Sequence, residues 1–520
     1  MQQFAITKKN AAIHVKTVIE SKKRRETNLL VVVLLITFTV TPLLILGQCT
    51  IGMDMILGLV SVLALVLLIM RWPLIGLYII AACALTVEIN VLTINTPVFT
   101  DRLPVFSWPP SLAGQPERPI GYLFILAGLI FVCRRFIEHE QLLEVKPIKP
   151  FMFYMLSVAL GILLGLATGG DIKMIMVELR PFWYFFLSYI LASNLITHKR
   201  HLYAFFWIVI IAAGLKSLQG VYIAWFVPRT DILDPGAIMS HEESFFFVSL
   251  ILFLILLFAH YRYRPQFYAT LAVLPFDLIA LVANERRTDY IALILGIIIT
   301  LSIIFVVKPQ IRKKLVISVL IITLLSTCYV VLFSRSNSPI AAPANAIMTV
   351  FQPNAGNEGE DSSNMYRVVE NYDLVYTIKQ NVIFGLGFGK PFYEPIPLTT
   401  IYPQIPEVNS TYNYIPHNTI YWVWMRLGLI GFFAFWYLIG SVICQGCLIV
   451  RQLQDHYLQL IGIYIIGIIP MEIVVAFGDY QLFTFRNVIY VGLLIGILMK
   501  LPHLDGKKSH ASSRKQRIMA

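Results

Sequence analysis

The stretch that decides the fold is Asn284-Glu-Arg-Arg-Thr-Asp289 followed by Tyr290-Ile-Ala-Leu-Ile-Leu-Gly-Ile-Ile-Ile-Thr-Leu-Ser-Ile-Ile-Phe-Val-Val307. After Asp289 the next charge is Lys308, and a helix of about 20 such residues crosses the ~30 Å hydrocarbon core of a bilayer. Two arginines in a short polar turn therefore abut a membrane-length apolar run. The pattern repeats outward in both directions. The chain has 520 residues, 58% hydrophobic and 13% charged, with a mean hydropathy of +0.74. A soluble chain carries roughly a quarter charged residues. Lipid offers no partners to backbone N–H and C=O groups, so the runs must be helices. The ~10-residue alternation of a membrane barrel is absent. The expectation is an all-α polytopic membrane protein, a bundle of about 12–14 transmembrane helices in which 120–134 is the weakest span.

The organisation reads as a basic cytoplasmic tail at 1–28, a bundle at 29–334, a large external loop at 335–417, further membrane helices at 418–500 and a second basic tail at 501–520. The first apolar run follows the basic tail and reads as a start-transfer helix, not a cleavable signal. The net charge of +12 is a topology signal. Lys22-Lys23-Arg24-Arg25, Arg134-Arg135, Lys199-Arg200, Arg262 with Arg264, Arg312-Lys313-Lys314 and the 507–517 tail fall on one side and put both termini in the cytoplasm. Nucleic-acid binding is not expected. The six cysteines lie in or at the ends of spans, so no disulfide framework is expected outside. Residues 96–119, with Trp108-Pro109-Pro110, read as a cap.

Loops as long as 335–417 are uncommon without a role. Its first part, Asn337 to Ser363, reads as mobile. From Asn364, Met365, Val368, Tyr372, Val375 and Ile378 recur at helical spacing, which predicts an amphipathic helix on the membrane surface or against the bundle, with Arg367 on it. Phe384-Gly-Leu-Gly-Phe-Gly-Lys390 then turns the chain. It is not a nucleotide loop: a Walker loop needs four residues between its glycine and Gly-Lys, then Ser or Thr, and here Pro391 follows.

Three groups of residues carry candidate chemistry. Charged residues inside spans are costly, and Glu88, Lys216, Asp277, Arg426 and Glu472 all fall in the external halves of theirs. That shared depth suggests an outward-open polar cavity; the alternative is pairwise neutralisation, such as Lys216 with Asp277. Arg286, Arg287, Arg180 (opening a span after Glu178) and Arg367 are external arginines suited to gripping phosphate oxygens; pairing with Glu285 and Asp289, or lipid headgroups, is the alternative. His417, just before a span that Asn418 caps, has a side chain suited to general-base work. His241-Glu242-Glu243 is a weaker boundary cluster.

In order and topology these residues resemble the O-antigen ligase and polymerase superfamily over about 283–438. The matching features are Arg286-Arg287 in a turn before a span, Arg367 leading into the 384–389 glycine turn, and His417-Asn418 leading into Leu427-Gly428-Leu-Ile-Gly431. This chain has Arg-Arg-Thr-Asp where the family often has a Ser-Arg-Gly-like turn, so either Arg286 or Arg287 corresponds, with Arg287 preferred. The resemblance implies a GT-C-like membrane glycosyltransferase of the bacterial plasma membrane. It implies a glycan donor on undecaprenyl pyrophosphate and a glycan or glycolipid acceptor. On that reading His417, Arg287 and Arg286 are catalytic, and Arg367, Arg180, Asn418, Lys216 and Arg426 bind substrate. No Asp-x-Asp-like pair lies outside, so neither a metal nor another cofactor is expected. A transporter of lipid-linked oligosaccharide is the competing reading; the lack of internal repeats and paired broken helices weighs against it.

Overall fold

The computed structural model describes residues 53–87, 119–226 (except 140, 142 and 146), 238–260, 265–307, 309, 312–333, 341, 358–403, 405 and 411–506. The N-terminal tail, the span at 29–47, Glu88, the cap up to residue 118, most of the segment expected to be mobile and the basic tail beyond 506 lie outside these residues. Two compact units divide the chain, 1–73 and 74–520. The first holds α1 (Met53–Arg71), and α2 (Pro73–Thr86) opens the second.

The second unit continues with α3 (Pro119–Ile137), α4 (Lys149–Ala167), α5 (Ile172–Leu195), α6 (Lys199–Phe226), α7 (His241–His260), α8 (Pro265–Ala283), α9 (Arg287–Val307) and α10 (Arg312–Phe333). After these come α11 (Glu358–Gln380), α12 (Thr419–Gln452), α13 (His456–Gly478) and α14 (Phe485–Leu504). Among the described residues no strand occurs, and ten helices, α3 to α9 and α12 to α14, are long and apolar enough to cross a membrane. The chain is a polytopic all-α membrane protein, and the weak 120–134 span is one of the ten. α13 and α14 are largely apolar all round, as enclosed helices are; Ile461, Ile463, Ile465, Leu493, Leu494 and Ile497 are all fully buried. Around them α14 lies along α5, α13 packs between α9 and α12, and α6 runs along α8.

Two helices start earlier than expected. α5 begins at Ile172, capped by the Asp171 carboxylate on the N–H groups of Lys173 and Met174, so Arg180 and Pro181 sit inside it and do not open it. α11 begins at Glu358, not near Asn364. Apolar periodicity cannot register a first turn built of Glu, Gly, Asp and Ser, although glutamate forms helices well.

α12 is broken at Gly428, whose φ of 63° and ψ of −168° are not helical. The chain from Val382 to Gly389 fills the break. The Leu429 N–H bonds the carbonyls of Val382 (2.9 Å) and Ile383 (3.1 Å), which leaves the Met425 and Arg426 carbonyls to accept from Leu386 (2.7 Å) and Gly387 (3.2 Å). The backbone groups released by the break are thus satisfied by the glycine turn. Below Gly428, α12 still has enough length to cross the hydrocarbon core alone. Gly385, Gly387 and Gly389 all have positive φ, and a Cβ on Gly385 would stand 2.5 Å from the Gly428 nitrogen.

At Gly428 itself a Cβ would collide with the Ile383 carbonyl oxygen in a backbone conformation that L side chains avoid. Gly428→Ala is therefore expected to cost on the order of 1–3 kcal/mol from the backbone alone. Gly440→Ala, in the same helix with open space around it, should be neutral or mildly stabilising. Thermal unfolding of the two purified variants provides the comparison; equal midpoints would remove the wedge from its structural role.

Candidate active site

The glycine turn is pinned from two further sides. Phe388 N–H donates to the Gly161 carbonyl of α4 (3.3 Å) and Asp171 N–H to the Gly389 carbonyl (2.8 Å). The Glu178 carboxylate of α5 accepts from Gly389 N–H at 2.6 Å and from the Trp422 indole at 3.3 Å. Its other partner is Arg426, 2.6 Å away, with both side chains fully buried. Arg426 Nη1 donates to the carbonyls of Gly387 (3.1 Å) and Lys390 (2.6 Å), and its Nη2 to that of Tyr414 (3.0 Å). Arg426, expected to bind substrate, is engaged in holding the turn.

α11, which precedes the turn, packs against His417, which follows it. The apolar stripe of α11 faces away from the bundle, as the membrane-surface alternative requires. Met365, Val368 and Tyr372 are 53–63% exposed, whereas Tyr366, Glu370, Asp373 and Thr377 are buried. The inward polar groups meet backbone: Asp373 Oδ1 accepts from Ile396 N–H (3.3 Å) and Thr377 Oγ1 from Tyr393 N–H (3.0 Å). Burial pushes the Asp373 carboxyl up to about 6. Among the residues of the stripe, Ile378 alone is buried and Val375 half-buried.

That polar face also holds His417. Glu370, 1% exposed, accepts the His417 backbone N–H at 3.0 Å and lies 3.1 and 3.2 Å from Nδ1. The Tyr366 ring meets the imidazole edge-on, 5.4 Å between centroids. One residue on, the Asn418 side chain caps α12 through Tyr421 N–H (3.0 Å) and donates to Asn371 Oδ1 (3.0 Å). Asn418 is the helix cap, as expected, and is 2% exposed; its polar atoms are engaged within the protein. Partial burial pushes the imidazole down, but Glu370 and then Asp479 outweigh it, so His417 titrates above its ordinary 6.5.

Asp479, just past α13, joins the three groups that the sequence offered separately. Its carboxylate lies 2.7 Å from His241 Nδ1 and within electrostatic reach of His417 and Arg367. Burial raises it, but His241, His417 and Arg367 together hold it below the usual carboxylate range. The Tyr480 ring stands between the two histidines, 6.0 Å from His241 and 5.7 Å from His417. Asp289, 2% exposed at the start of α9, feels both Asp479 and Arg286. The Arg286–Arg287 turn, Arg367 and His417 therefore gather at one end of the bundle. Glu370 and Asp479 were missed by sequence reasoning. Asp479 sits one residue beyond a span, and Glu370 lies on the helix face opposite the apolar stripe that drew attention.

Among the described residues the intramembrane charges do not line an open cavity. Lys216, Asp277, Arg426 and Glu472 are each at most 2% exposed. Lys216 does not pair with Asp277: it meets Glu243 (3.2 Å) and Gln219 (2.9 Å), while Asp277 accepts from Ser217 (3.0 Å). The rise of α7 brings Glu243, not α8's aspartate, to the lysine, and Glu243 also holds buried Arg486 at 2.6 Å. Glu472 accepts from Asn487 (3.1 Å). Neutralisation is the realised alternative for Lys216 and Arg426. Arg180 has its Nε buried with no hydrogen-bond partner and makes no ion pair with the His417 cluster among the described residues. Among those residues no three His, Cys, Asp or Glu side chains group as metal ligands do.

What this end of the bundle offers is a carboxylate-held imidazole beside guanidinium groups at a helix turn, the parts needed to deprotonate a hydroxyl next to an anion. The order of those parts along the chain is also that of a known family. Residues 270–436 match the family model for O-antigen ligase. The matched segment runs from α8 into α12 and contains Arg286, Arg287, Arg367, the glycine turn, His417, Asn418 and Arg426; Arg180, Lys216, His241 and Asp479 lie outside it. The match supports the O-antigen ligase and polymerase superfamily and, with the ten apolar helices, a membrane enzyme that processes glycans. No curated protein matches the chain.

Proposed function

We propose that the protein is a membrane glycosyltransferase of the O-antigen ligase or polymerase type, acting on the external face of the bacterial plasma membrane in surface polysaccharide synthesis. Its donor is a glycan on undecaprenyl pyrophosphate and its acceptor a glycan or glycolipid hydroxyl. The observation that carries this reading is the convergence of Arg286, Arg367 and His417, all within the segment that matches O-antigen ligase, around Asp289 and Asp479. The distribution of charge supports the side. Arg134, Arg135, Lys199, Arg200, Arg451 and Lys500 lie at the opposite end of the bundle, where Lys199 meets Asp455 at 2.6 Å and Lys500 meets Glu144 at 2.7 Å. Basic residues favour the cytoplasmic side, which leaves the His417 end outside.

In this mechanism the acceptor hydroxyl gives its proton to His417, and its oxygen forms the new bond to the anomeric carbon. The bond from that carbon to the phosphate oxygen breaks, and its electron pair leaves with the pyrophosphate. Arg286, Arg287 and Arg367 supply fixed positive charge where negative charge develops. Arg426 and Lys216 act from behind, holding the turn and the bundle.

Deleting the protein and analysing the lipid-linked intermediates tests the reading. Long chains stranded on the carrier are the expected result for a ligase, and single repeat units for a polymerase. Intermediates trapped on the cytoplasmic leaflet would overturn it in favour of transport.

A further inference from the structure

The buried face of α11 carries Glu370, Asp373 and Thr377 among Tyr366, Leu374 and Ile378, and the polar group nearest His417 is Glu370. That carboxylate makes two separate contacts with one residue, the backbone N–H and the Nδ1 of His417. A carboxylate can only accept, so Nδ1 carries the proton. In the neutral ring Nε2 is then the basic nitrogen, and among the described residues nothing hydrogen-bonds to it. With Tyr366 against the ring face and Asn371 bonded to Asn418, one helix face fixes His417 from three sides.

We propose that Glu370 is a positioning residue for the transfer reaction, fixing the tautomer and plane of the His417 ring so that Nε2 receives the acceptor proton. The proposal rests on the transferase reading given above. Carboxylates that orient a catalytic imidazole act in this way elsewhere, by holding the ring and by stabilising the imidazolium that forms. The apolar stripe of α11 is then the outer face of a helix whose function lies on its inner one. The groups facing the imidazole are Glu370, Tyr366 and Arg367 from α11, and Asp479 and Tyr480 from beyond α13. His241 of α7 stands behind Asp479.

Diethylpyrocarbonate modifies neutral imidazole, so the rate of His417 labelling against pH, read by mass spectrometry of the purified full-length chain, reports its titration without any glycan donor. In Glu370→Gln the inflection should move to lower pH by about one unit or more, and in Glu370→Asp it should stay near wild type. In the transfer assay the acid limb of Glu370→Gln should move the same way, with kcat lowered at least tenfold and KM little changed. An unmoved inflection in a folded Glu370→Gln protein overturns the proposal. Should that variant not fold, a wild-type inflection at or below 6.5 does so. Labelling that shifts while no glycan is transferred even by wild type would overturn the transferase reading alone.

Discussion

Arg426→Ala is expected to destabilise the protein by about 3–5 kcal/mol, the cost of leaving a buried charge without its partner. Glu178 would stay fully buried with only the Gly389 amide and the Trp422 indole, and the carbonyls of Gly387, Lys390 and Tyr414 would lose their donor. The glycine turn, wedged into the Gly428 break, should open first, so limited proteolysis between residues 381 and 416 should accelerate as the thermal midpoint falls. Arg426→Lys should be intermediate, because an ammonium cannot span a carboxylate and three carbonyls as a planar guanidinium does. Adding Glu178→Gln to Arg426→Ala should recover the part due to uncompensated charge and leave the orphaned carbonyls. Wild-type unfolding of Arg426→Ala would show that the pair is not what holds the turn.

His417→Ala should leave the fold intact and lower transfer from a lipid-linked donor by about 10²–10⁴-fold. The residue is 31% exposed on its side chain, and the cap of α12 belongs to Asn418, so the variant should still fold, less stable by the lost pairing with Glu370. The pH dependences of stability and activity run in opposite directions. His417 titrates above 6.5 in the folded protein, so its pairing with Glu370 and Asp479 stabilises the fold fully below 6.5. That contribution is lost as pH rises through the folded value. A base must be neutral, so activity rises over the same window. Unchanged transfer by the purified alanine variant would remove His417 from the chemistry.

The membrane bundle was legible because lipid makes one demand, unbroken apolar length, and runs such as Tyr290–Val307 satisfy it visibly. The site was legible only in pieces. Arg286, Arg367 and His417 could each be picked out as charged or titratable groups at span boundaries, since such positions are costly unless used. Their connection could not be read, because Asp479 looks like any residue after a helix until His241, Arg367 and His417 are seen around it. Lys216 and Arg426 could not be assigned between the two alternatives for a related reason. Intramembrane charge marks a partner, but sequence cannot say whether the partner is substrate or a buried glutamate such as Glu243 or Glu178.

α11 marks the limit of periodicity. A hydrophobic stripe predicts the helix, but not which face meets the bundle when the neighbouring chain offers backbone N–H groups. Ile396, Tyr393 and His417 present such groups, and satisfying them draws Asp373, Thr377 and Glu370 inward.

The sequence by itself determined that this is a helical membrane protein and that residues 270–436 are similar to O-antigen ligase, because hydropathy and motif order are properties of the chain alone. Only the tertiary structure decided which charges support the fold and which meet at the His417 end. Pairing between residues hundreds of positions apart, as in Arg426 with Glu178, depends on which helices become neighbours, and helix neighbours are set by packing.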